Sequence, residues 1–302
     1  MPRLVYATRR SQLALAQSRA FVASLARLDP LLAIEELTVT TTGDRIQDRP
    51  LAEVGGKGLF VKEIEQALLD GQADLAVHSS KDIPGELLPG LYLSCFPERA
   101  DARDVLVSRS GARLRELPAG ARVGTTSLRR SVQLKAVRPD LVIVPIRGNV
   151  DTRLKKCEDG VVDAIVLARA GLVRLGLAER ATEILEVDVS LPAIGQGALA
   201  VEQREGDERV ARLLAQVTHQ ETAVAVAAER GVMKAVEGDC QTPVAAYAIQ
   251  SGGELWLRGM LAEPDGSRLR RAERRLAWPR SDAEAAAVGR DLGAELKRSP
   301  GV

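Results

Sequence analysis

Residues 59–82 read LFVKEIEQALLDGQADLAVHSSKD, and two periodicities meet there. Phe60, Ile64, Ala67 and Leu68 recur at the spacing that aligns side chains on one helix face, which predicts a helix over Leu59–Asp70. Gly71 stands at its C′ position, where glycine ends helices by taking the left-handed conformation. Asp74–His78 (DLAVH) follows as a short strand running into SSKD. A helix feeding such a strand is the repeating unit of an α/β layer.

The flanks repeat the pattern. Leu4–Thr8 is strand-like, Ser11–Leu28 is an amphipathic helix with Phe21, Leu25 and Leu28 on one face, and Leu37–Thr42 is β-rich. Interleaved in this way, the elements imply a mostly parallel sheet. Glu98–Asp104 (ERADARD) is charged and poor in apolar residues, as a crossing between domains would be. The alternation then resumes: strands at Ala121–Gly124, Leu141–Ile146 and Val162–Ala168, and helices at Leu128–Ala136, Val150–Cys157 and Gly171–Leu177. The Gly/Pro-marked stretch 189–203 (VSLPAIGQGALAVEQ) returns the chain toward the first domain. Past residue 218 an Ala/Val-rich helix, Glu221–Val236, precedes strands at Val244–Gln250, Leu255–Leu261 and Arg268–Ala277 and a last helix, Asp282–Leu296. The expected organisation is an α/β domain of residues 1–97 with 198–217, a second α/β domain of 98–197, and a smaller α+β domain of 218–302.

Composition bounds the function. The chain has 302 residues, 45% hydrophobic and 27% charged, with a net charge of +1. That balance argues against a general nucleic-acid-binding surface, so any cationic site is local. No run of about 18 apolar residues exists to span a membrane. The start, MPRLVYATRR, lacks a signal peptide's apolar stretch. The three cysteines, Cys95, Cys157 and Cys240, are too few for a disulfide framework and point to a reducing compartment, hence the cytoplasm.

Cations occur where helix electrostatics discourage them. Ser127 is an N-cap candidate, which puts Arg129 and Arg130 in the first helical turn, unfavourable by a few tenths of a kcal/mol unless an anion binds there. Arg9 and Arg10 precede the helix at Ser11 in the same way, and Arg147 follows a strand end with Arg153 farther along. In open α/β sheets the ligand crevice lies at such strand ends, so the implied ligand carries several negative groups. Lys57 lies in a Gly-rich loop, VGGKG, that lacks the phosphate-loop spacing. Asp82, just past a strand end, is a candidate acid/base or cation stabiliser, or equally a turn-capping residue. The two histidines, His78 and His219, lack metal-ligand spacing. Cys240 sits in a Gly/Pro-flanked turn, EGDCQTPVAA.

Together, ATRRSQLALAQ, TTGDRI, VGGKGLFVKEIE, DLAVHSSKDIP, VGTTSLRRSVQL, IRGNVDTRL, LPAIGQGAL and EGDCQTPVA, in that order, make the chain resemble the hydroxymethylbilane synthase (porphobilinogen deaminase) family. The resemblance implies two α/β domains like periplasmic-binding-protein lobes with the active cleft between them, plus an α+β third domain. It implies a monomeric transferase that joins four porphobilinogens head to tail, releasing ammonia, on a dipyrromethane cofactor held by a thioether to Cys240. By the same resemblance Asp82 is catalytic, and Arg9, Ser11, Lys81, Ser127, Arg129, Arg130, Arg147, Arg153 and Arg174 bind the carboxylates of cofactor and substrate, with the Lys57 loop as a lid. Three positions depart from the family pattern: Glu53 for a common lysine, Ser80 for an apolar residue, and Asp239 for the glycine before the cysteine. From the residues alone, a non-enzymatic two-lobed binder of an anionic ligand is the alternative.

Overall fold

A computed structural model describes residues 3–45, 58, 60–237 and 242–300, apart from the Arg45 side chain. Lys57, Glu53, Asp239 and Cys240 lie outside the described residues. The chain begins with β1 (Arg3–Arg9), α1 (Gln12–Leu28), β2 (Ala33–Val39), α2 (Thr42–Arg45), α3 (Lys62–Leu69), β3 (Leu75–Ser79) and β4 (Leu91–Cys95). Next come β5 (Asp104–Ser108), β6 (Arg122–Gly124), α4 (Leu128–Val137), β7 (Val142–Val144), α5 (Val150–Glu158), β8 (Ala164–Ala168), α6 (Arg169–Arg174) and β9 (Glu183–Ile184). The last part holds β10 (Leu199–Arg204), α7 (Glu208–Ala215), α8 (Gln220–Val236), β11 (Val244–Ser251), β12 (Glu254–Leu261), β13 (Arg270–Ala277) and α9 (Asp282–Arg298).

The opening stretch behaves as its periodicity predicts from Lys62 onward. Ile64 and Leu68 are buried, and Gly71 takes φ of 69°. The helix starts later than expected, at Lys62, and Phe60 ahead of it stacks on the Arg9 guanidinium, 4.1 Å from the ring centroid.

The described strands form two five-stranded sheets, ordered β2-β1-β3-β10-β4 and β7-β6-β8-β5-β9, and a three-stranded meander β11-β12-β13. Each large sheet has three parallel strands, as the α/β alternation predicts. The remaining pairings are antiparallel: β10 with β3 and β4, and β5 with β8 and β9. A mostly parallel sheet was the expectation; the mixture arises because β5 and β10 follow directly on the charged 98–104 and Gly/Pro-marked 189–198 segments, with no crossover helix to turn them parallel.

Clustering of contacts divides the chain into two units, Met1–Arg99 with Ala198–Ala223, and Ala100–Gly197 with Val224–Val302. In the first, alternation along the strands separates two apolar layers. Leu4, Tyr6, Leu75 and Val77 pack under Phe21 and Leu25 of α1, while Ala7 and Ala76 pack under Ile64 and Leu68 of α3. In the second, Val123, Ala164 and Val166 pack with Leu134 of α4, and Ile165 and Leu167 with Leu154 of α5. Each such buried leucine contributes about 1.5–3 kcal/mol.

The meander lies in the second unit. One face buries Ala246, Leu255 and Leu257 against α8 and α9, and the other sets Ala245 and Met260 against Val132 and Leu191. The two helices meet at bare backbone: a side chain at Gly231 would run into the Ala286 carbonyl, and one at Gly289 into the Ala228 carbonyl. A Gly289→Val variant should therefore lose about 1–3 kcal/mol or more of stability by overpacking. Thermal or urea unfolding measures this, and an unchanged midpoint would refute the close helix contact.

Candidate active site

In the first unit, β1 ends at Arg9 and delivers the chain to Ser11, whose hydroxyl oxygen caps α1 by accepting from the Ala14 N–H at 3.3 Å. β3 ends at Ser79, and a 3-10 turn, Ser80–Asp82, carries Lys81 and Asp82 past the strand end. Together these segments border an open concavity whose lining includes Arg9, Ser11, Gln17, Phe60, Ser79 and Asp82. Asp82 and Lys81 are exposed.

Arg9 is held in place. Its Nε and Nη2 donate to Asp44, and its plane lies over Phe60. Asp44 also accepts from the Thr41 hydroxyl at 2.8 Å. Burial pushes the Asp44 carboxyl up, but Arg9 and Thr41 outweigh it and hold the group below its usual range. The TTGD turn is fastened by Glu63, whose Oε1 accepts from the Thr42 N–H at 2.8 Å and hydroxyl at 2.5 Å. A side chain at Gly43 would collide with the Phe60 ring. Neither Asp44 nor Glu63 stood out in the sequence, although TTGD is an N-cap pattern and could have flagged the turn.

His78 serves the fold. Its Nε2 lies 3.0 Å from Glu202 Oε2, both side chains being buried. Burial, then the nearby Glu202, raises the Glu65 carboxyl. Among the described residues no His/Cys/Asp/Glu cluster has metal-binding geometry. Ser80, one of the departures from the family pattern, buries a hydroxyl with no hydrogen-bond partner among the described residues; a buried hydroxyl left unpaired costs about 1–3 kcal/mol.

In the second unit, Ser127 caps α4 as its position suggests, accepting from the Arg130 N–H at 3.4 Å. The hydroxyl protons of Ser11 and Ser127 remain to donate. Arg129 and Arg130, each 6% exposed, do meet an anion at this helix start, and the fold itself supplies it. Asp104, fully buried, accepts from Arg129 Nη1 at 2.8 Å and from Arg130 Nη2 at 2.7 Å. Burial raises the Asp104 carboxyl, and the two guanidiniums overcome this to leave it far below its usual range. Arg129 is lowered by burial, which Asp104 only partly offsets. Sequence reasoning assigned Asp104 to the charged crossing; the apolar VLV that follows it was the available signal for a buried strand.

Three further arginines belong to this unit. Arg147 buries Nη1 without a hydrogen-bond partner among the described residues. Arg153 Nε donates to the Gly148 carbonyl at 2.8 Å. Arg174 Nη2 donates to the Gly197 carbonyl at 2.7 Å, and burial pulls its guanidinium down to about 10. The structure thus groups Arg9, Ser11 and Asp82 in the first unit, and Ser127, Arg129 and Arg130 in the second. Such sets of forked donors suit carboxylates.

Comparison with known proteins agrees with the chemistry. Residues 4–212 match a family model described as porphobilinogen deaminase, dipyromethane cofactor binding domain, and residues 223–298 match its C-terminal domain. A porphobilinogen deaminase of Sorangium cellulosum is 64% identical over 295 residues, 98% of each chain. Another, from Syntrophotalea carbinolica, is 54% identical over 289 residues, covering 96% of this chain and 90% of that one. Among solved structures, the Bordetella pertussis BvgS VFT2 domain (double mutant F375E/Q461E) gives a TM-score of 0.42 at 18% identity, over 72% of this chain and 86% of that one. The non-enzymatic binder is not favoured by these relatives.

The lowered carboxyls set an acid limit. Asp44 and Asp104 have folded-state values below their unfolded ones, so their stabilisation is fully present above the unfolded range, near ~4, and is lost progressively as pH falls from there through the lower folded-state values. Glu65, raised, acts in the opposite sense. The melting midpoint should hold between about pH 5 and 8 and fall below about pH 4, with a shallower fall in Asp104→Asn. Identical acid profiles for the two proteins would remove Asp104 from this account.

Proposed function

We propose, on the premise that this chain belongs to the porphobilinogen deaminase family, that it condenses four porphobilinogens into linear hydroxymethylbilane with Asp82 as its catalytic carboxylate and Cys240 as the anchor of its primer. The chain is a transferase of tetrapyrrole biosynthesis with a dipyrromethane cofactor. The observation that carries the residue assignment is the surplus of guanidinium over carboxylate at Arg129, Arg130 and Asp104. Each pyrrole ring brings an acetate and a propionate, so a primer of two rings adds four carboxylates. Arg129, Arg130, Lys81 and Ser127 would hold them, and Arg147, whose Nη1 has no partner among the described residues, and the desolvated Arg174 fit the same task.

The cofactor supplies a free pyrrole α-carbon as nucleophile. The protein's part is to take ammonia from the incoming substrate and a proton from the ring that attacks. As the C–N bond breaks, the electron pair leaves with ammonia and a cation remains on the substrate. Asp82, close to Arg9 in the concavity, stabilises that cation and orients the pyrrole N–H. Once the new C–C bond forms, the Asp82 carboxylate removes the α-proton, which is passed to ammonia as ammonium, and the carboxylate is restored. Arg9, Ser11, Arg153 and the Lys57 loop hold substrate carboxylates during these steps.

The same reading divides the chain into an Asp82-bearing domain (1–97 with 198–217), an arginine-rich domain (98–197) and a Cys240-bearing domain (218–302), in a cytoplasmic monomer. No described helix is long and apolar enough to cross a membrane.

Two measurements test it. Intact mass of the purified chain should exceed the sequence mass by two pyrrole units, and Cys240→Ser should abolish the excess; an unmodified, active chain would refute the anchor. Asp82→Ala should melt like the parent yet lose roughly 10²–10⁴ in turnover, whereas near-parental turnover would remove Asp82 from the chemistry.

A further inference from the structure

The first unit hides three ionisable side chains that the condensation chemistry does not employ. Glu65 of α3, His78 of β3 and Glu202 of β10 are 4%, 5% and 1% exposed. His78 Nε2 lies 3.0 Å from Glu202 Oε2, while Glu202 Oε1 is buried without a hydrogen-bond partner among the described residues. Glu65 Oε1 accepts from the Leu88 N–H at 3.3 Å. Burial raises the Glu65 carboxyl and nearby Glu202 raises it further, with the Leu88 N–H and His78 pulling the other way.

Among the described residues no lysine or arginine pairs with any of the three. Charged groups on the surrounding elements are engaged elsewhere or face water. Arg9 at the end of β1 pairs with Asp44, Glu63 of α3 accepts from Thr42, and Arg204 of β10 pairs with Asp74 and Asp207. Lys62 of α3, Lys81 and Asp82 in the turn after β3, and Glu86 beyond it are exposed. The trio therefore carries no net charge only when its two carboxyls and one imidazole share two protons. With one proton it is a net anion in a dry space, which is costly unless something outside answers it.

This trio lies at the back of the reaction site. His78 lines the same concavity as Arg9 and Asp82. The turn carrying Asp82 starts directly after β3 and is held from two sides. Ser79 Oγ donates to Gln17 Oε1 at 3.0 Å, and the Ser80 N–H donates to the Ala198 carbonyl at 3.0 Å. The segment that brings Glu202 to His78 thus also anchors the turn.

We propose that Glu65, His78 and Glu202 act as one titrating unit and as positioning residues for the condensation: the unit holds two protons at neutral pH, and the Asp82 turn keeps its place while it does. Loss of the second proton leaves an unmatched buried anion, and water entering beneath α3 to meet it loosens the end of β3. Turnover then falls on the alkaline side through these three groups together, with an apparent value that belongs to the unit. This rests on the functional reading above and adds to it the protons that keep the site in shape.

The test uses the full-length chain and three variants, Glu65→Gln, Glu202→Gln and His78→Gln, each close in size to the residue it replaces. The first readout is independent of turnover. At neutral pH the infrared spectrum of the parent should contain the carbonyl stretch of a protonated, buried carboxyl, and Glu65→Gln should lose it. The second readout is the pH profile of ammonia release. Either carboxyl variant is neutral with one proton, so its alkaline limb should lie about one pH unit or more above the parent's. His78→Gln leaves two carboxyls without a cation; the first proton leaves sooner because the other carboxyl can share the one that stays, and the limb should move down. A role confined to holding strands together would lower turnover at every pH and leave the limb where it stands. Coincident limbs in the parent and both carboxyl variants, a limb in His78→Gln that moves up with theirs, or a parent spectrum without the buried-acid band would overturn the proposal and leave the functional reading intact. If His78→Gln does not fold, the carboxyl variants and the infrared band decide. A parent chain that releases no ammonia from porphobilinogen at any pH would bring down the functional reading, and this proposal with it.

Discussion

A fully buried carboxylate is tolerable only when its charge is answered by others, and Asp104 is answered twice. That one constraint organises much of the second unit. It draws the first turn of α4 onto the start of β5, brings the Ser190–Leu191 segment in through Ser190 and Gln133, and pins Gln196 before the chain leaves for β10. Three other stretches of sequence are tied to a single side chain. The tie is strong because it is dry, since in a low-dielectric setting each of these hydrogen bonds is worth more than at the surface and each missing one costs more. Removing one partner leaves the others stranded.

The first unit answers its charges differently. Arg9 is partly exposed, paired with Asp44, which Thr41 also holds, and stacked on Phe60, so its orientation comes from three modest contacts instead of one buried knot. The contrast is suited to the two tasks. Under the proposed reading, a cofactor bound once and kept by the second unit needs a fixed receptor, whereas substrates that arrive at Arg9 and move on are better met by groups that can release them.

Much of this was legible in the residues because short-range physics governs it. Ser11 and Ser127 announced their caps by position, and the Ile64/Leu68 face announced α3 by spacing. The three parallel strands of each large sheet follow from alternation. What escaped was set by distant partners. Asp104 looked like one more charge in a charged stretch, and only the arrival of α4 explains its burial. β10 was hidden among glycines and prolines because its place between β3 and β4 depends on pairing more than a hundred residues away in sequence. Glu202 drew no notice in the sequence, and it is β10 that carries it to His78. Lys57 and Cys240, conspicuous as motifs, fall outside the described residues, so their roles rest on kinship and chemistry.

The place of β10 bears on how the protein is made. β3 and β4 are complete by Cys95, yet the strand that belongs between them starts at Leu199, about a hundred residues later. At a synthesis rate of ~5–20 residues per second the ribosome needs roughly 5–20 s to deliver it. During that interval the nascent first sheet has two unmatched strand edges where a neighbouring polypeptide could pair. The second sheet has no such wait, since all its strands lie within one continuous stretch. Vectorial folding therefore runs against chain order here: the sheet in the middle of the polypeptide has all its strands before the sheet at its beginning does.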